Sequence, residues 1–169
     1  MPPETPGVFR PSGHVLLRTV DDTHAWGARL GALLKAGDLL VLTGDLGAGK
    51  TTLAQGIADG LGVRGPITSP TYVIARVHPS VCGGPDLVHV DAYRLGGLAE
   101  LDDLDLDASV DAAVTVVEWG HGVAEHLSEN YLEVTLRGLD SRIVDLAGHG
   151  GRWADPAAVA ALDALLSLA

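Results

Sequence analysis

The sequence predicts one three-layer α/β domain, a parallel central sheet with antiparallel strands added at its margins. Three observations predict it. DLLVLTG at 38–44 and AVTVVEW at 113–119 are continuous apolar runs, the pattern of strands buried on both faces. TTLAQGIADGLG, shortly after the first run, repeats its apolar residues Leu53, Ile57 and Leu61 every fourth position, which is helical spacing. Two further pairs of β-rich segments lie close enough in sequence to be antiparallel neighbours.

Taken in order, residues 1–14 are rich in proline and glycine and are expected to form a disordered arm before a domain over 15–169. HVLLRTV reads as a short strand. Asp21 or Asp22 is expected to cap a helix through THAWGARLGALLKAG, with Trp26, Leu30, Leu33 and Leu34 on its inner face and Gly37 at its stop. Gly62 ends the second helix. TYVIARVH and DLVHVDAY form a hairpin-like pair around PSVCGGP, and YLEVTLRG and SRIVDLAG alternate as a second pair. A C-terminal helix over about 155–168 opens with Asp155 as cap and Pro156 at the first helical position. There is no internal repeat.

Bulk properties narrow the function. A chain of 169 residues with 47% apolar and 20% charged residues can bury a full core. Eleven basic against 22 acidic residues leave a net charge of −11, which disfavours direct contact with nucleic acid or anionic lipid. The one cysteine, Cys82, excludes an intrachain disulfide and is read as a loop residue. The N-terminus lacks a signal-peptide core, and no run reaches the ~20 apolar residues of a membrane span, so no membrane role and a cytoplasmic location are expected.

Chemistry concentrates at 44–51. Gly44, Asp45, Leu46, Gly47, Ala48, Gly49, Lys50 and Thr51 satisfy G-x-x-x-x-G-K-[ST], between an apolar strand and an amphipathic helix. Residues without Cβ let consecutive backbone N–H groups turn in around an anion, and the helix start adds its positive end. Lys50 is one of only two lysines, with Lys35. It would neutralise β- and γ-phosphates, with the Thr51 hydroxyl on Mg²⁺ and Thr52 beside it. The fold is therefore expected to be P-loop NTPase-like. The only asparagine is Asn130, so an N-K-x-D guanine element is absent and ATP is the expected nucleotide. Asp91 and Glu118 end β-rich runs, where a doubly wound sheet places ligands, and are candidate metal ligands and water-orienting carboxylates. His89 is expected on the same side of its strand as Asp91. The acidic run Glu100, Asp102, Asp103, Asp105 and Asp107 reads as a solvated face, and Trp119 as core. A small-molecule P-loop kinase is a rival reading. Between Lys50 and the final pair of strands, however, only Arg64, Arg76 and Arg94 occur, without the clustered arginines of a kinase lid. A nucleotide-binding docking module without turnover is the third reading.

Four stretches in order resemble the TsaE family, bacterial ATPases of tRNA threonylcarbamoyladenosine synthesis: GDLGAGKTT at 44–52, SPTY at 69–72, HVDAYRL at 89–95, and VEW at 117–119 after Glu100-Leu101. The similarity covers roughly residues 15–140. The resemblance implies that Thr51 and Glu118 ligate Mg²⁺ and that Asp91 supports metal and hydrolysis. It implies a switch containing Ser69, Thr71, Tyr72, His89 and Arg94, and places the segment from Thr19 to Asp22 near the adenine. It also implies a partner, the threonylcarbamoyl-transferring heterodimer of TsaB- and TsaD-type subunits, with tRNA met only indirectly. PSVCGGP and the stretch from Gly148 to Ala169 have no clear counterpart in that family.

Overall fold

The computed structural model describes residues 8–11, 13–45, 47–65, 67, 75–91, 111–118, 127–138 and 140–167. Leu46, Ser69, Thr71, Tyr72, Arg94, Trp119 and the acidic run of 100–107 lie outside the described residues.

Among the described residues, eight strands form one sheet: β1 (Val8–Phe9), β2 (Val15–Leu17), β3 (Leu39–Thr43), β4 (Ala75–His78), β5 (Asp86–Asp91), β6 (Ala113–Glu118), β7 (Tyr131–Arg137) and β8 (Arg142–His149). Their order is β1-β8-β7-β3-β6-β5-β4, with β2 also on β8. The four central strands β7, β3, β6 and β5 are parallel. β8 and β4 close the two sides antiparallel, and β1 and β2 pair antiparallel with β8. The parallel core with antiparallel additions is as expected, and both hairpin-like pairs form.

β3 and β6 sit at the centre, where no edge reaches water, and Leu39, Leu40, Val41, Leu42, Val116 and Val117 are fully buried. Alternate residues leave to opposite faces. Leu40, Leu42, Val114 and Val116 join the main core with the helices α1 (Val20–Ala32), α2 (Lys50–Leu61) and α4 (Pro156–Leu166). Leu39, Val41, Val88, Val90 and Val117 form a smaller cluster on the other face, against Leu127 and Tyr131. The described helices thus cover one face; a second helical layer is not found among the described residues.

Helices α1 and α2 touch backbone to backbone along a glycine seam. A Cβ on Gly31 would stand 2.3 Å from the Ile57 carbonyl oxygen, and one on Gly60 2.1 Å from that of Ala28. Gly27 and Gly56 face each other in the same way. These contacts advance together along both helices, so the pair is parallel and its two N-termini point the same way.

Local details correct the expected boundaries. The cap of α1 is Thr19, not Asp21 or Asp22: the Thr19 side chain accepts from the Asp22 N–H while Asp22 accepts from the Thr19 N–H, a reciprocal capping box. The helix ends at Ala32 with Leu33 as C-cap, which leaves Leu33 39% exposed and puts Gly37 beyond the stop, while Leu34 turns inward. Val8 and Phe9 fall in the stretch expected to be a disordered arm, yet they pair with His149 and Gly148. At the other end, α3 (Gly151–Ala154) leads into α4, capped by Asp155 with Pro156 at its first position. Trp26 Nε1 donates to the Leu165 carbonyl at 3.1 Å, tying α4 to α1, and Arg152 grips buried Asp38 with two bonds of 2.9 and 3.0 Å.

Candidate functional site

Parallel packing brings three strand ends into line. Leu42 of β3 is opposite Glu118 of β6, which is opposite Asp91 of β5, so both carboxylates sit at the carboxyl edge beside the loop leaving β3. This edge is where open parallel sheets hold ligands.

The loop from Gly44 to Gly49 turns there into α2. Gly44 has no room for a side chain, since a Cβ would lie 2.7 Å from the Leu136 carbonyl oxygen. Gly49, the N-cap of α2, has φ 98°, a left-handed conformation that turns the chain into the helix with its first N–H groups facing out of the sheet. A cleft of ≈ 370 Å³ opens above, lined on the loop side by Gly47, Gly49, Lys50, Thr51 and Thr52. Thr19 and Thr23 line it as well, so the N-termini of α1 and α2 meet at one cavity.

Lys50 is 5% exposed, and its ammonium donates to the carbonyls of Gly44 and Asp45 at 2.8 and 2.9 Å. Burial lowers its pKa from the ordinary value of 10.5, against the opposing pull of Glu118, Asp45 and Asp91. Three carboxylates therefore act on this buried ammonium, Glu118 foremost among them. The Thr51 hydroxyl donates to Glu118 Oε1 at 3.4 Å, and the other carboxylate oxygen, Oε2, meets His89 Nε2 at 2.5 Å. Thr51 and Glu118 both line the cleft. Two hard oxygens from separate elements at one cleft are a donor pair that fits Mg²⁺. Among the described residues no group of three or more His, Cys, Asp or Glu gathers as a protein-only metal site.

Gly47, Gly49, Lys50, Thr51, Thr52, Glu118 and Thr19, all candidates from the sequence, line this one cleft. Asp91 is 8% exposed and stands one strand beyond Glu118, behind the cleft wall rather than on it. Gly44, Asp45 and Ala48 shape the loop without lining the cavity. His89 is fully buried and on the Asp91 side, as its strand position required. Arg18, Asp140 and Arg142 also line the cleft and were not foreseen. Three of the chain's eleven basic residues, Arg18, Lys50 and Arg142, therefore converge on one cavity of a strongly acidic protein.

Fold and site define a mixed α/β protein with a cationic cleft where a glycine loop and two helix N-termini meet at the carboxyl edge of a parallel sheet. Comparisons with known proteins agree. The family model "Threonylcarbamoyl adenosine biosynthesis protein TsaE" matches residues 17–144. The tRNA threonylcarbamoyladenosine biosynthesis protein TsaE of Streptomyces coelicolor is 58% identical over 135 residues, 76% of this chain and 91% of that protein. Its namesake in Mycobacterium tuberculosis is 53% identical over 141 residues, 78% of this chain and 84% of that one. The crystal structure of Bacillus subtilis YdiB superposes with a TM-score of 0.70 at 29% identity, covering 94% of this chain and 95% of that one. The chain belongs to the TsaE family of threonylcarbamoyladenosine biosynthesis proteins. The YdiB superposition leaves fewer residues uncovered than the stretch from Gly148 to Ala169 contains, so part of that stretch has the structural counterpart that the sequence did not reveal.

Proposed function

We propose that this chain is a Mg²⁺-dependent, P-loop NTPase-like ATPase that serves threonylcarbamoyladenosine modification of tRNA. In this reading it binds the heterodimer of TsaB- and TsaD-type subunits that transfers the threonylcarbamoyl group, and ATP hydrolysis supports that heterodimer's turnover in the cytoplasm. The observation that carries the reading is the meeting of Thr51 and Glu118 at 3.4 Å over the mouth of the glycine loop, in the cleft that also holds Lys50.

Each residue then has a task. Backbone N–H groups of 47–52 hold the phosphates, and Lys50 neutralises the β and γ oxygens. Thr51 and Glu118 would hold Mg²⁺, which supplies charge neutralisation at the transferring phosphoryl group. Glu118 on the cleft wall, backed by Asp91, orients the attacking water. Thr19 and Val20 on the cleft wall flank the adenine, and the missing N-K-x-D element favours adenine over guanine. A net charge of −11 keeps tRNA contact indirect, through the partner. Among the described residues, no helix is long and apolar enough to cross a membrane.

Phosphate release from ATP, measured with and without the partner heterodimer, tests the reading. Slow release by the chain alone and faster release with the partners is expected, as is a large loss in Glu118→Ala. ATP binding without any release under either condition would leave a docking module, and transfer of γ-label to a small metabolite would favour a kinase.

A further inference from the structure

We infer that His89 is a positioning residue whose Nε2 hydrogen bond fixes the Glu118 carboxylate so that Oε1 stays turned to the Thr51 hydroxyl. The inference rests on the reading of Thr51 and Glu118 as the oxygen pair for Mg²⁺.

Position 89 belongs to the interior. Its strand is buried from Leu87 to Asp91, and His89 itself has no exposed surface. Val88 and Val90 point to the opposite cluster, so an apolar side chain at 89 would complete the main core beside Leu87 and Val116. An imidazole there leaves Nδ1 buried with no hydrogen-bond partner among the described residues. A buried polar atom without a partner opposes folding, and local packing gives no reason to keep it. The other ring nitrogen supplies the reason. A carboxylate carries no hydrogen, so Nε2 donates to Glu118 Oε2.

That bond divides the work of the carboxylate. Oε2 is anchored to β5, and Oε1 faces Thr51 at the start of α2. Glu118 is also the foremost carboxylate acting on the Lys50 ammonium. Released from His89, the carboxylate is free to turn Oε1 away from the Thr51 hydroxyl. Ligating carboxylates are commonly held by such an outer hydrogen bond, whose loss weakens metal affinity ~10- to 100-fold.

The test compares His89→Gln with His89→Asn in the full chain. A glutamine amide nitrogen reaches about as far as imidazole Nε2, whereas that of asparagine stops near the place of Nδ1. Mn²⁺ affinity in the presence of ADP is read by electron paramagnetic resonance, and ADP affinity is read separately in EDTA. His89→Asn is expected to bind Mn²⁺ about tenfold more weakly, and His89→Gln to stay within about threefold of wild type. Metal-free ADP affinity is expected to be unchanged in both. Equal Mn²⁺ affinities in the two variants would overturn the inference, as would an equal loss of ADP affinity in EDTA. Nitrogen-15 spectra of histidine in the wild type provide a readout independent of variant folding: Nε2 protonated with Nδ1 bare is expected, and the opposite tautomer overturns the inference. A wild type that binds no Mn²⁺ with ADP would instead overturn the reading of the metal site, a result distinct from equality between Gln and Asn.

Discussion

Arg142, the first residue of β8, donates from Nη2 to the carbonyl of Gly47 at 3.1 Å and so holds the glycine loop in place. A Cβ on Gly49 would touch the same guanidinium, 3.4 Å from Nε. The loop is thus braced by a cation that also faces the cavity. In Arg142→Ala, nucleotide affinity is expected to fall about five- to tenfold, the equivalent of one exposed hydrogen bond worth about 1 kcal/mol. Stability should change by no more than about 0.5 kcal/mol, since the bond is exposed. Titration with a fluorescent ATP analogue and thermal melts check both. Wild-type affinity would remove Arg142 from the site.

The glycine seam between α1 and α2 makes a second prediction. A methyl group at Gly31 or Gly60 would meet opposing backbone at 2.3 or 2.1 Å, which no side-chain adjustment relieves. Gly31→Ala and Gly60→Ala should each cost about 1–3 kcal/mol of stability, despite alanine's better helix propensity. Because both helices end on the cleft, nucleotide affinity should fall as well. Gly151→Ala, where nothing lies within 4 Å of the added methyl, should lose no stability. Urea unfolding compares the three. Equal midpoints for all would show that the seam is not under the constraint described.

How much of this was legible beforehand follows from how local each signal is. β3, α2 and the loop between them could be read because apolar continuity, glycine spacing and helical period are properties of adjacent residues. Glu118 could be placed because its strand announces itself and ends on it. The Thr19 cap was within reach: Thr19-x-x-Asp22 has the capping-box spacing, which carries more weight than an acid standing first. Arg142 and Asp140 gave no such sign. They reach the cleft only because β8 folds back on β7 and β7 pairs with β3, and nothing around a lone arginine records that path. Val8 and Phe9 form too short a strand to show a period.

Burial of His78 on β4 predicts a pH effect on stability. His78 is 7% exposed, with Nε2 lacking a hydrogen-bond partner among the described residues, and its pKa lies below the ordinary 6.5. Burial is the main cause; His89 and Arg76 act in the same direction, and a bond to the Arg64 backbone opposes them. The unfolded chain therefore binds a proton more readily than the folded one. Between the folded pKa and 6.5 stability rises with pH, and acidification below 6.5 removes it. His78→Gln should lose less stability than the wild type between pH 7 and pH 5. Urea midpoints at the two pH values measure the difference, and parallel losses would assign the acid sensitivity to other groups.

The central claim is that the cleft at Lys50 binds the polyphosphate of ATP. Calorimetric titration of Mg·ATP into the wild type and into Lys50→Ala tests it most directly. The account predicts saturable binding by the wild type and affinity weaker by about 100-fold or more in the variant, where the buried ammonium is lost. Equal affinity in the two proteins, or no binding by the wild type, would contradict it.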